Sequence, residues 1–114
     1  MIAVIFEVEP RPGAAPRYFE LAAALKAELE AIDGFLSVER FEILARPGRY
    51  LSLSFWRDEA AVRQWRCHGM HRQAQQAGRS AVLAGYRLRV ATVVRDYGLL
   101  DRDQAPEDSR TLLI

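Results

Sequence analysis

The chain has 114 residues, 50% hydrophobic and 27% charged, with 16 basic and 15 acidic side chains for a formal net charge of +1. That length suits one domain around one core; the composition excludes a disordered chain, and the near balance of charge excludes a general nucleic-acid binder, which would be clearly basic. The single cysteine excludes an internal disulfide framework, and no apolar run reaches the roughly 18 residues of a membrane span, so a cytoplasmic protein with no nucleic-acid and no membrane partner is expected.

The opening MIAVIFEVEP is apolar, without a basic lead or an A-x-A-like cleavage site, and is expected as a first strand rather than a signal peptide. Ile2 to Glu9 is rich in β-formers and ends at Pro10, which cannot donate to a sheet ladder. After the loop Arg11 to Ala15, Pro16 suits a first helical turn. Tyr18, Leu21, Leu25, Leu29 and Ile32 then recur at helical spacing on one face. Gly34 fits a left-handed helix cap. Phe35 to Leu44 and Tyr50 to Trp56 read as strands joined by the turn Arg46-Pro47-Gly48-Arg49, an antiparallel hairpin. Asp58 is a good N-cap for a helix running to Arg66 or Cys67, and Glu59 favours its positive end. Gly69 breaks or kinks that helix, a second piece spans Met70 to Ala77, and Gly78 ends it. Gly85 to Tyr97 reads as a long last strand.

The order β-α-β-β-α-β predicts a ferredoxin-like α+β domain with an antiparallel sheet over residues 1–97, followed by a C-terminal tail, 98–114. The tail is polar until Thr111-Leu112-Leu113-Ile114. It is either frayed or docked, on its own domain or on a partner subunit. One sheet face is expected to carry Ile2, Val4, Phe6 and Val8 with Leu51, Leu53, Phe55, Leu88 and Val90, under the helices. The other mixes Ile5, Phe41, Trp56, Ala91 and Val93 with Glu7, Glu39, Ser52, Ser54, Arg87 and Arg89. A face so apolar predicts an interface, and a homodimer is the simplest closed solution.

Phe55-Trp56, the helix start Asp58-Glu59-Ala60, Trp65, His71-Arg72, Gln75, Gly78-Arg79 and the strand end Val94-Arg95-Asp96-Tyr97 form a series that resembles the antibiotic biosynthesis monooxygenase family over residues 1–97. The resemblance implies a dimeric α+β barrel with a pocket between sheet and helices in each subunit. It implies oxygenation of a small aromatic or quinone-like compound by O₂ with no metal or flavin cofactor in some members, haem degradation in others. The better-understood oxygenases use an Asn near the first strand. This chain contains no Asn, and its first strand carries Glu7 and Glu9. Met70 stands where many relatives have Glu.

Matching the family's helix position, His71 is the expected general base, since histidine titrates near neutrality; the alternative is a surface histidine bonded to a neighbour. His68 lies three residues earlier and shares a helix face with His71. Cys67 and His71 provide too few ligands for zinc, and Cys67 is expected as inert packing. Trp65 walls a pocket or fills the core. Trp56 and Tyr50 are expected to face the cavity between subunits and stack on an aromatic ligand, or else to pack the dimer. Arg89, with Arg87, either binds an anionic ligand group or pairs with Glu7 and Glu39. A non-catalytic ligand-binding or stress-associated dimer is the second functional reading, and haem binding through His71 the third.

Overall fold

The computed structural model describes residues 1–68 and 81–110. Strand β1 (Ile2–Pro10) leads into helices α1 (Ala15–Ala24) and α2 (Lys26–Glu30), the hairpin β2 (Phe35–Glu42) and β3 (Tyr50–Trp56), helix α3 (Glu59–Arg66) and strand β4 (Leu83–Thr92). All strand pairs are antiparallel, in the order β2-β3-β1-β4. This is the ferredoxin-like α+β arrangement, in which the two halves of the chain interleave so that β1 and β3 lie at the centre.

Local chemistry explains most boundaries. Pro16 sits in the first turn of α1. The single long helix expected from the apolar spacing is instead two, divided at Leu25, whose N–H reaches the Ala22 carbonyl at 3.3 Å. The next turn resumes with Leu29 N–H on the Leu25 carbonyl at 3.0 Å, so the apolar face continues across the break. Gly34 has φ +94°, as its cap position requires, and a Cβ there would stand 2.8 Å from the Cβ of Ala61. Asp58 caps α3 by accepting from the Ala61 N–H at 2.9 Å. β2 and β4 end earlier than expected, at Glu42 and Thr92, although Val93 N–H still reaches the Met1 carbonyl at 3.0 Å. The predicted helical piece from Met70 to Ala77 and the apolar end Thr111–Ile114 lie outside the described residues.

The register corrects one expectation. Ile2 opposes Trp56, Val4 opposes Ser54 and Phe6 opposes Ser52. Directly opposed residues share a face, so Tyr50, Ser52, Ser54 and Trp56 lie with Ile2, Val4, Phe6 and Val8, toward the helices. Leu51, Leu53 and Phe55 lie with Ala3, Ile5 and Glu7 on the other face. The alternation within β3 was legible, but its more apolar side is the outer one, and only pairing with β1 reveals this.

Two core clusters fix the helices on the sheet. Ile2, Leu29, Trp56 and Ala61 are buried at one end, with Phe35, Val38, Val62 and Trp65 packed against them. Val8, Tyr18 and Val82 are buried at the other, with Phe6, Leu21 and Tyr50. After β4 the chain turns back on itself around Arg102. That guanidinium donates to the carbonyls of Gly98 and Ser109 and lies over the Tyr97 ring at 5.2 Å. Arg110 closes the turn by donating to the carbonyls of Ala105 and Asp103 at 3.3 and 3.2 Å. No described helix is long and apolar enough to cross a membrane.

Candidate functional site

Between the two core clusters, sheet and helices do not close completely. They leave a cavity of about 280 Å³. Its floor comes from Val4 and Phe6 of β1, Val38 of β2, Ser52, Ser54 and Trp56 of β3, and Tyr86, Leu88 and Val90 of β4. Its roof comes from Tyr18, Leu21 and Leu25, Leu29 of α2, and Val62 and Trp65 of α3. Arg40 and Arg66 complete the wall. A mostly apolar chamber with a few polar groups is the ordinary form of a small-molecule site.

Trp56 is 1% exposed, and its indole N–H donates to Ser54 Oγ at 2.9 Å. Such a bond is needed to bury an indole N–H. The His68 imidazole stacks on Trp65, ring centroids 5.8 Å apart and planes 23° from parallel. Its Nδ1 is shielded and has no hydrogen-bond partner among the described residues. A shielded ring nitrogen without a partner calls for an explanation; here it sits behind one of the cavity's two tryptophans. At the opposite end of α3, the Ala61 N–H and then the Arg57 guanidinium hold the Asp58 carboxyl below its ordinary value. Asp33 and Asp58 raise the Arg57 guanidinium in turn.

The sequence-predicted residues divide among three places. Trp56 and Trp65 meet in the cavity. Trp56 does so from the helix side of the sheet, not from the subunit-facing side that its alternation with Leu53 and Phe55 implied; pairing with Ile2 sets that direction. Tyr50 shares the helix-facing side but packs on Phe19, ring centroids 4.9 Å apart, and does not line the cavity. His68 joins the site through Trp65. Arg89 is on the outer face, paired with Glu7 at 3.5 Å, along a separate polar groove with Glu9, Arg49 and Arg87. His71 lies outside the described residues. The cavity also holds Ser52 and Ser54, which the sequence reading assigned to the outer face, together with Arg40 and Arg66. For Arg40 the available signal was its spacing of two from Val38 within one strand.

Comparison with known proteins agrees with this architecture. The family described as antibiotic biosynthesis monooxygenase matches residues 1–77. A jasmonate monooxygenase of Pyricularia oryzae is 48% identical over 93 residues, 82% of this chain and 43% of that protein. The chain thus spans less than half the length of that relative. An uncharacterized Bacillus subtilis protein is 39% identical over 78 residues, 68% of this chain and 67% of that one. Among solved structures, a Deinococcus radiodurans protein assigned to antibiotic biosynthesis monooxygenases superposes with a TM-score of 0.76 at 17% identity, covering 88% of this chain and 99% of that one. A Mycobacterium tuberculosis protein gives 0.73 at 23% identity, covering 83% and 96%.

Proposed function

The chain belongs to the antibiotic biosynthesis monooxygenase family, and from that premise we propose that it oxygenates a small cyclic compound held between its sheet and its helices. The observation that carries this reading is the apolar cavity walled by Trp56 and Trp65, with His68 stacked on Trp65 and its shielded Nδ1 without a partner among the described residues. An aromatic or quinone-like ring fits such walls by stacking. The jasmonate monooxygenase similarity extends the class to alicyclic compounds.

A substrate with a ring CH₂ acidified by a neighbouring carbonyl or phenol needs no reductant from outside. A histidine removes the first proton and the resulting enolate passes electrons to O₂. One oxygen forms the new C=O and the other leaves as water with the two substrate hydrogens. That stoichiometry works without a metal or flavin, as the family resemblance implies. His68, which packs on Trp65 without lining the cavity, and His71, which holds the family position, are the two candidate bases. The working unit is a homodimer joined through the outer sheet face.

Oxygen uptake with a panel of polycyclic phenols and quinols tests the proposal. His68→Ala should lower kcat about 100-fold or more, the usual contribution of a general base, while tryptophan quenching by the same compound persists. Loss in His71→Ala alone moves the role to that residue. Full turnover in both variants rejects a histidine base. A non-catalytic binding dimer is the second reading, favoured because the described residues lining the cavity include no carboxylate or imidazole. Saturable binding without oxygen consumption would select it.

A further inference from the structure

The cavity carries a charge that its apolar walls do not explain. Arg40 pairs across the hairpin with Ser52, so it is directed to the helix side of the sheet. Arg66 is the last residue of α3, next to Trp65. Both line the chamber, and no described carboxylate lines it with them. Arg17, Arg49, Arg57 and Arg89 are ion-paired, with Glu20, Glu9, Asp33 and Asp58, and Glu7; Arg40 and Arg66 are the two arginines lining the apolar chamber. Among the described residues, Arg40 and Arg66 make no ion pair. Two guanidinium groups of like charge at the rim of one apolar chamber, with no described carboxylate lining it, make a positive site that an anion would neutralise.

We propose that Arg40 and Arg66 anchor the carboxylate of the ligand, so that the substrate is an amphiphilic monocarboxylate whose cyclic body lies against Trp56 and Trp65. The guanidinium fork matches a carboxylate in two parallel hydrogen bonds, which an ester or an alcohol cannot form as well. Ser54 Oγ is already an acceptor for the Trp56 indole, which leaves its hydroxyl hydrogen to donate; Ser52 stands beside Arg40 in the ladder. The wall therefore presents donors, the requirement for an anion. Both arginines are exposed overall, which places the charged heads at the rim and the apolar chamber behind them. This anchor rests on the cavity being the ligand site, as proposed above.

Calorimetric titration of the full chain with two matched pairs tests it: jasmonic acid and its methyl ester, and naphthylacetic acid and its methyl ester. For the wild type, the acid of at least one pair should bind about tenfold or more tighter than its ester, the equivalent of one charge-assisted hydrogen bond. Arg40→Gln and Arg66→Gln should each reduce that preference and together remove it, with the ester's affinity unchanged as the check that the chamber still folds. Added salt should weaken the acid and not the ester. Equal binding of acid and ester, or a preference that survives in the double variant, overturns the anchor and leaves the cavity reading in place. Absence of binding by all four compounds overturns both together.

Discussion

Trp56 shows how one residue ties the stability of this fold to its site. Its indole is almost fully buried, contacts Phe35 edge-on at 5.3 Å, and satisfies its only donor on Ser54 Oγ. Ser54→Ala deletes little volume but leaves the indole N–H buried without a partner. The expected cost is about 1–3 kcal/mol, read from the denaturant midpoint at unchanged m-value. A cost below experimental error would mean that the indole finds another acceptor. His68 and Trp65 are a comparable pair, their rings stacked with centroids 5.8 Å apart. The chemistry-bearing residue types were legible from the sequence. Their partners were not, because hydrogen-bond geometry depends on strand register and rotamer.

At the scale of elements, the start of α3 is the best-defined joint. Asp58 accepts from the Ala61 N–H and pairs with Arg57 at 3.2 Å, while Arg57 also reaches Asp33 at 3.1 Å. The Arg57 N–H donates to the Gly34 carbonyl at 2.7 Å. This end of α3 is thereby tied to the α2–β2 corner, against which Gly34 leaves no room for a side chain. Folding lowers the Asp58 carboxyl below its ordinary value of 3.8, chiefly through the Ala61 N–H. A carboxylate lowered by folding stabilises the native state above its unfolded value, and that stabilisation is lost as acid protonates it. Asp58→Ala should therefore lower the melting temperature at neutral pH, and the gap from wild type should shrink as the pH falls below that ordinary value. A gap that stays constant with pH would show the loss to be one of packing rather than of charge. The cap, the Gly34 corner and the turn at Gly48 were all readable locally, since each depends on a few adjacent residues. The break at Leu25 was not, since no Gly or Pro marks it.

At the scale of the molecule, the radius of gyration is 16.3 Å and the extents are 50 × 34 × 19 Å, against about 13 Å for a compact chain of this length. Val94, Leu99 and Leu100 are 76, 60 and 92% exposed beyond β4, and Phe41 is 43% exposed on the outer sheet face. Ile5, Leu51, Leu53 and Phe55 on that face are only half-buried. Apolar area of this kind is what the proposed homodimer would cover. Light scattering behind size exclusion should give twice the 12.9 kDa chain mass. Phe41→Glu, at an exposed position, should shift the species toward the monomer without changing the circular dichroism. A wild-type chain that is monomeric at tens of micromolar removes the dimer from the proposal.

The sequence by itself determined the fold class, the order of elements, the caps and the family. Each follows from local periodicity and turn chemistry or from a motif series along the chain. Only the tertiary structure decided which face of β3 meets the helices, because the more apolar face, Leu51, Leu53 and Phe55, is the outer one and the direction comes from the ladder with β1. That one decision moved Trp56, Ser52 and Ser54 into the cavity and left Arg89 on the far side. It also brought Arg40 and Arg66 to one chamber from a strand and a helix 26 positions apart along the chain, a juxtaposition set by packing across the sheet rather than by spacing.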